Sequence, residues 1–122
     1  MNKGGLQDLE IYQLSLKLNI KVHRMTRTLP QYEFCEQGRQ IRRSSQSVSS
    51  NIAEGYGRKK YKADFLKHLT YSLASCDETT AHLQMISAIH FKTNPLTNLI
   101  GEYAELGKKI NNFLKYVEKY WR

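Results

Sequence analysis

The stretch that decides the fold is Gln40–Arg58, which reads QIRRSSQSVSSNIAEGYGR. Wound as a helix, it brings Ile41, Val48 and Ile52 into one arc of about 40° and puts the arginines on the opposite side. Most of the remaining positions are small residues: serine, alanine or glycine. Because serine is a mediocre helix former, this density predicts a packing role, in which small side chains let neighbouring helices approach closely. Gly55 and Gly57 are predicted to supply the C-cap of this helix and the turn that follows.

Apolar spacing outside this stretch predicts three further helices. The four predicted helices cover residues 8–29, 36–55, 61–91 and 95–121. Pro30 ends the first because the residue before a proline leaves the α region, and Asn94-Pro95 is typical of a helix start. Short loops between long helices predict an all-α, left-handed, antiparallel up-down-up-down four-helix bundle, formed by residues 1–122 as a single domain.

Two of the predicted helices carry a bundle seam. In the third, the residues that step by four and three are Phe65, Leu69, Ser72, Cys76, Thr79, Leu83, Ile86 and His90. In the fourth, they are Leu96, Leu99, Tyr103, Leu106, Ile110, Phe113, Val117 and Tyr120. A second apolar line (Ile100, Leu114 and Trp121 on helix four, with Tyr12, Leu16 and Ile20 on helix one) favours subunit contacts over a wide core face.

The composition indicates an ordinary soluble protein. Of 122 residues, 40% are hydrophobic and 25% are charged, and no apolar run approaches the roughly 20 residues of a membrane span. The N-terminus has no apolar signal-peptide core, so we expect a cytoplasmic protein without membrane contact. Cys35 and Cys76 are expected to be reduced thiols rather than a disulfide.

The formal net charge is +8, and most of the surplus is concentrated in one fifth of the chain. Between residues 39 and 62, seven basic residues face Glu54 alone: Arg39, Arg42, Arg43, Arg58, Lys59, Lys60 and Lys62. Such a patch predicts a phosphate-bearing partner, RNA or DNA, although a solvated basic face would look the same. Tyr56 and Tyr61 lie within it and could stack on unpaired bases.

Catalytic and metal-binding patterns are missing from the sequence. No two of the four histidines stand three or four residues apart, and no histidine lies within twenty residues of Ser47 to activate a nucleophile. No Walker lysine follows Gly55-Tyr56-Gly57. We therefore predict a protein that is not an enzyme, with no catalytic residue, metal or cofactor. Asn51 and Glu54, three residues apart, are predicted to form a structural polar lock, with nearby arginines as partners of Glu54.

Together these residues resemble the signature of the 23S rRNA intervening-sequence proteins, also called the S23 or four-helix-bundle family. The resemblance thins after about residue 90. It is carried by Asp8–Tyr12, Leu29-Pro30, Gln40–Arg43, Ser47-Val48, Asn51–Gly55, Gly57-Arg58, Asp64-Phe65, Leu69 and Glu78. Tyr61 departs from the usual Ser or Thr, and Gln37-Gly38 from the usual Leu-Thr. The first change puts the start of helix three in doubt, and the second weakens the expected start of helix two.

The resemblance implies a bacterial homopentamer. A related branch is the accessory protein of diversity-generating retroelements, which implies a reverse transcriptase as partner if this chain belongs there. Two hypotheses stay open. In the first, a homo-oligomer binds RNA or DNA through the basic patch. In the second, the chain is a protein-interaction scaffold whose arginines contact acidic residues of a neighbouring subunit.

Overall fold

A computed structural model describes residues 4–122, and over that range the chain is helical with no strand. A 3-10 turn, Leu6–Asp8, precedes five helices. They are α1 (Glu10–Thr26), α2 (Gln31–Cys35), α3 (Gln37–Gly57), α4 (Lys62–His90) and α5 (Thr97–Tyr120). The four long helices confirm the predicted all-α four-helix bundle. None of the described helices is both long and apolar enough to cross a membrane.

The long helices pack as a closed ring. α3 lies against α4, α4 against α5, and α1 completes the ring by contacting both α3 and α5. One apolar core runs along the axis, with Ile41, Val48 and Ile52 of α3 fully buried as predicted. At one end of this core, the Phe65 ring makes edge-to-face contacts with two other rings. Its centroid lies 5.9 Å from that of Phe113 and 5.3 Å from that of Trp121.

The predicted seams are confirmed except at the end of α5. Every seam residue of α4 from Phe65 to Ile86 is buried, whereas Tyr120 of the α5 seam is 59% exposed because it lies in the last turn, beyond the core. The second apolar line of α5 does not protrude. Ile100, Leu114 and Trp121 are partly buried against the core, and their predicted contact with a second subunit stays a prediction. On α1, by contrast, Leu16 and Ile20 are exposed.

Two predicted helix boundaries are wrong. The first helix ends at Thr26, and the chain turns through Thr28 and Leu29 before Pro30 starts the separate short helix α2. The last helix begins at Thr97 rather than Pro95. Leu96, and not Asn94, is the N-cap residue, and no side chain caps the helix. The Leu96 amide donates to Ser87 Oγ of α4 at 3.0 Å, so a contact with α4 fixes where the last helix starts.

The prediction that Gly55 and Gly57 stop the second predicted helix (36–55), which is α3 in the structure, is also wrong. α3 continues through both residues to the Arg58 cap, and no described glycine has a positive φ. Gly55 instead permits the close packing of α3 against α4. A Cβ at this position would lie 3.1 Å from His68 Cβ and 3.3 Å from Phe65 Cδ1, so glycine lets α4 cross directly against the α3 backbone.

The two glycines should therefore respond oppositely to alanine. Gly55→Ala should lower the free energy of unfolding by about 1–3 kcal/mol, because the new methyl group overpacks the α3–α4 contact. Gly57→Ala, where a Cβ would meet no described atom within 4 Å, should raise it by a few tenths to about 1 kcal/mol through helix propensity. Urea denaturation of both variants measures the difference. Equal stability of the two would contradict the close crossing.

Candidate nucleic-acid interface

The structure divides the predicted basic patch into two groups. Arg39, Arg42 and Arg43 lie in the first turns of α3, while Arg58 and the lysines after it lie beyond its last turn. At 1.5 Å per residue, Arg39 and Arg58 are about 28 Å apart along the helix. Because the two groups flank a helix of 21 residues, they occupy opposite ends of the bundle.

Arg42 is half-buried, and its guanidinium is hydrogen-bonded within the fold. Its guanidinium donates to Thr26 Oγ1 at 3.0 Å and to the Phe34 carbonyl at 3.1 Å, and it stacks on the Phe34 ring at 4.0 Å. These contacts join α1, α2 and α3. Gly38 makes room for them, since a Cβ there would lie 2.9 Å from the Arg42 Nη1 atom. The Gln37-Gly38 departure noted in the sequence thus suits this corner of the structure.

Arg39 and Arg43 are exposed and line a groove between α3 and α4 with a volume of about 680 Å³. The groove also contains small side chains (Ser44, Ser47 and Ser75) and two carboxylates, Glu36 at the start of α3 and Glu78 of α4. Both guanidiniums are without an ion-pair partner among the described residues. They form the first cationic surface of the molecule.

At the other end of the bundle, the α3–α4 turn is tied to the end of α5. Lys62 Nζ donates to the Glu118 carbonyl at 2.8 Å, and the Trp121 indole donates to the Lys59 carbonyl at 2.8 Å. These bonds bring the α5 cations beside the turn. We call this second surface the basic end, and it comprises Arg58, Lys59, Lys60, Lys62, Lys115, Lys119 and Arg122.

Individual cations of the basic end differ in availability. Arg58 forms an ion pair with Glu54 at 2.6 Å and lies 4.0 Å from Asp64. Its hydrogen bond and charge hold the pKa of Glu54 below its ordinary value. Lys59 lies 3.8 Å over the Tyr56 ring, whereas Lys60 is exposed. The α5 cations were not predicted as part of the patch, because only the antiparallel topology brings them to the turn.

The predicted polar lock contains two separate contacts. Asn51 is half-buried, donates to Ser47 and meets His68 Nδ1 at 3.1 Å, so it links α3 to α4. Glu54 is exposed and bonds to Arg58 of its own helix end. No hydrogen bond joins Asn51 to Glu54, because Asn51 bonds to Ser47 and His68 while Glu54 bonds to Arg58.

A buried polar pair that the sequence did not indicate lies at the end opposite the basic end. Glu33 of α2 and His90 at the end of α4 meet at 2.7 Å, and both side chains are nearly buried. Glu33 also accepts from the Gln37 amide at 3.4 Å, so the pair secures the α2–α3 corner. Its residues stand 57 apart in the chain, and no local pattern could have identified it.

The titratable groups of the core are arranged for packing. Cys76 donates its thiol proton to the Tyr103 carbonyl at 3.3 Å, and burial raises the Cys76 pKa to about 12, so the thiol stays neutral. Burial likewise raises the pKa of Tyr103. Within residues 4–122, no three His, Cys, Asp or Glu side chains are grouped so that they could hold a metal ion.

The fold and its two cationic surfaces define a small, basic four-helix-bundle protein. The sequence model of the 23S rRNA-intervening sequence protein family matches residues 7–112, and the chain belongs to that family. A crystal structure of a protein of unknown function from the S23 ribosomal protein family, from Bacteroides thetaiotaomicron, is similar in fold. Its TM-score is 0.70 at 20% sequence identity, over 86% of this chain and 95% of that chain. No curated protein matches this chain.

The assignment of Arg42 to internal hydrogen bonds can be tested by measuring the free energy of unfolding of Arg42 variants. Arg42→Ala should lower the free energy of unfolding by about 1–3 kcal/mol, because it removes two partly buried hydrogen bonds and leaves their acceptors without this donor. Arg42→Lys should also destabilise the protein, since an ammonium cannot donate to both acceptors while stacking on Phe34. Lys17→Ala, at an exposed cation of α1, is the control and should change little. Urea denaturation with an unchanged midpoint for both Arg42 variants would contradict the assignment.

Proposed function

We propose that this protein binds nucleic acid without catalysing a reaction on it, and that the basic end is the surface that contacts the phosphate backbone. The observation that carries the proposal is the pair of hydrogen bonds between the α3–α4 turn and the end of α5. They assemble one cationic surface from two segments distant in sequence. Residues 54–64 and 115–122 together supply seven basic residues against three acidic ones.

The character of this surface favours sequence-independent contact. Lysine supplies most of its charge, and a lysine ammonium is a flexible point charge that contacts phosphates without reading base edges. Affinity for such a surface comes largely from counterion release and falls steeply with salt. The ligand class is therefore RNA or DNA recognised through its backbone.

Charge reversal at the basic end tests the proposal. Lys60→Glu combined with Lys119→Glu should weaken binding of a fluorescein-labelled strand of about 20 nucleotides by at least about tenfold at roughly 0.1 M salt. The slope of log affinity against log salt should become shallower by about 1.5, because two phosphate contacts are lost. Fluorescence anisotropy over a salt series gives both quantities.

The matched control makes the same change of net charge at the opposite end of the bundle. Arg27→Glu combined with Lys92→Glu reverses two exposed cations there and should leave the salt slope unchanged. Equal losses in the two double variants would mean that net charge, and not the basic end, governs binding. Failure of the wild-type protein to bind any strand at low salt would overturn the proposal.

We propose a second role for the other surface, in which Arg39 and Arg43 serve contacts between copies of the chain. The supporting observation is the α3–α4 groove, where small serines leave space for an approaching element and the two guanidiniums share the groove with Glu78. Met85 and Ile89, farther along α4, expose apolar surface. The family resemblance implies five copies, and paired charges with apolar area are suited to a heterologous ring contact.

Solution mass decides the second role. Nuclease-treated wild-type protein should run as an oligomer in light scattering, and Arg39→Glu combined with Arg43→Glu should shift it to smaller species. The Arg27→Glu and Lys92→Glu control should keep the wild-type mass. A wild-type monomer at micromolar concentration, or an unchanged mass in the Arg39 and Arg43 variant, would count against the groove as the interface.

A further inference from the structure

We infer that the basic end holds a single-stranded nucleic acid by base stacking, with Tyr116 and Tyr120 of α5 as the stacking surface. This inference rests on the proposed function and names its ligand more closely. It adds an aromatic site to a surface so far described only by its charge.

The two tyrosines form an exposed aromatic platform. The exposed fraction is 49% for Tyr116 and 59% for Tyr120, and their ring centroids lie 5.3 Å apart. The Phe113 ring stacks nearly parallel to the Tyr116 ring, with the ring centroids 6.1 Å apart. Phe113 in turn contacts the buried Phe65. The platform is therefore anchored to the core on one side and open to solvent on the other.

Charge surrounds the platform. Lys119 Nζ lies 5.3 Å from the centre of the Tyr120 ring, and Lys115 precedes Tyr116 in sequence. The Lys59–Trp121 hydrogen bond brings the turn, with exposed Lys60 and Tyr61, to the residue after Tyr120. Exposed aromatic rings interleaved with cations are the combination by which single strands are bound without sequence preference.

The geometry favours unpaired bases over other anionic partners. A duplex keeps its base faces inside the stack, so it can offer these rings only its backbone. An acidic peptide would satisfy the lysines but leave the tyrosine faces uncovered. The two rings lie too close for a base to enter between them, and Phe113 covers the other side of Tyr116. A base would therefore stack on the outer face of Tyr120 and extend over the exposed edge of Tyr116, and neighbouring lysines would contact the phosphates on either side.

Ring removal separates stacking from charge. Tyr116→Leu combined with Tyr120→Leu should weaken binding of a single strand of about 20 nucleotides roughly ten- to hundredfold, because each base–ring stack is lost. The salt slope should stay unchanged, since no charge is removed. Binding of a duplex of the same length should also be unchanged. The conservative double variant, Tyr116→Phe with Tyr120→Phe, keeps both rings and should bind as the wild type does.

Two controls isolate the base contacts. Tyr32→Leu removes a 65% exposed tyrosine of α2, at the opposite end of the bundle, and should leave single-strand binding unchanged. An abasic strand carries the same phosphates without bases, and it should bind to the wild type no better than the normal strand binds to the leucine double variant. Circular dichroism melting checks that every variant is folded.

The outcomes distinguish this inference from the proposed function. If wild type binds the abasic strand as tightly as the normal strand, or if the leucine variant loses duplex and single-strand binding equally, the stacking inference fails while phosphate binding stands. If polyglutamate of matched charge competes as well as the single strand does, the surface is for an acidic protein and the inference fails. No binding to any nucleic acid overturns both.

Discussion

The close approach of α3 and α4 is the constraint on which the rest of the structure depends. Gly55 lets the two backbones cross, and small residues continue the contact along the helices. Hydroxyl groups there bond across the interface at 2.8 Å, as in the Ser47–Ser75 and Thr79–Ser44 pairs. Small side chains thus shorten the distance between the helices, and their polar atoms stay satisfied as they are buried. The serine density that weakens α3 as an isolated helix becomes favourable once α4 covers it.

The same contact determines where the charges lie. Packed against α4 over its 21 residues, α3 carries the basic turn that follows Gly57 to the far end of the bundle from Arg39 and Arg43. In an antiparallel bundle that end also contains the last turn of α5. The basic end therefore arises from topology, and the Lys62 and Trp121 hydrogen bonds fix the two segments side by side.

Much of the fold could be predicted from the sequence, since helix faces follow from the spacing of apolar residues, and the buried seam from Phe65 to Ile86 confirms this. Helix ends were less predictable because they depend on residues distant in sequence. Ser87 Oγ accepts a hydrogen bond from the Leu96 amide. Phe65 and His68 of α4 lie so close to Gly55 that a larger residue would not fit there. The candidate site was the least predictable. A cluster of basic residues in the sequence does not show which of them form hydrogen bonds or ion pairs within the fold. The α5 cations are distant in sequence from the α3–α4 turn, so no local pattern links the two.

Once internal contacts are considered, the predicted patch offers fewer cations than its sequence contains. Arg42 is committed to Thr26 and Phe34, Arg58 to Glu54, and the Lys62 ammonium to a backbone carbonyl. An internally bonded cation keeps its charge but loses the freedom to adjust to a phosphate, so it adds to long-range attraction more than to direct contact. Direct contact then depends on exposed groups such as Lys60 and Lys119. In the proposed complex, such sparse direct contacts would give weak binding by charge alone, so base stacking on the exposed aromatic platform would supply part of the affinity.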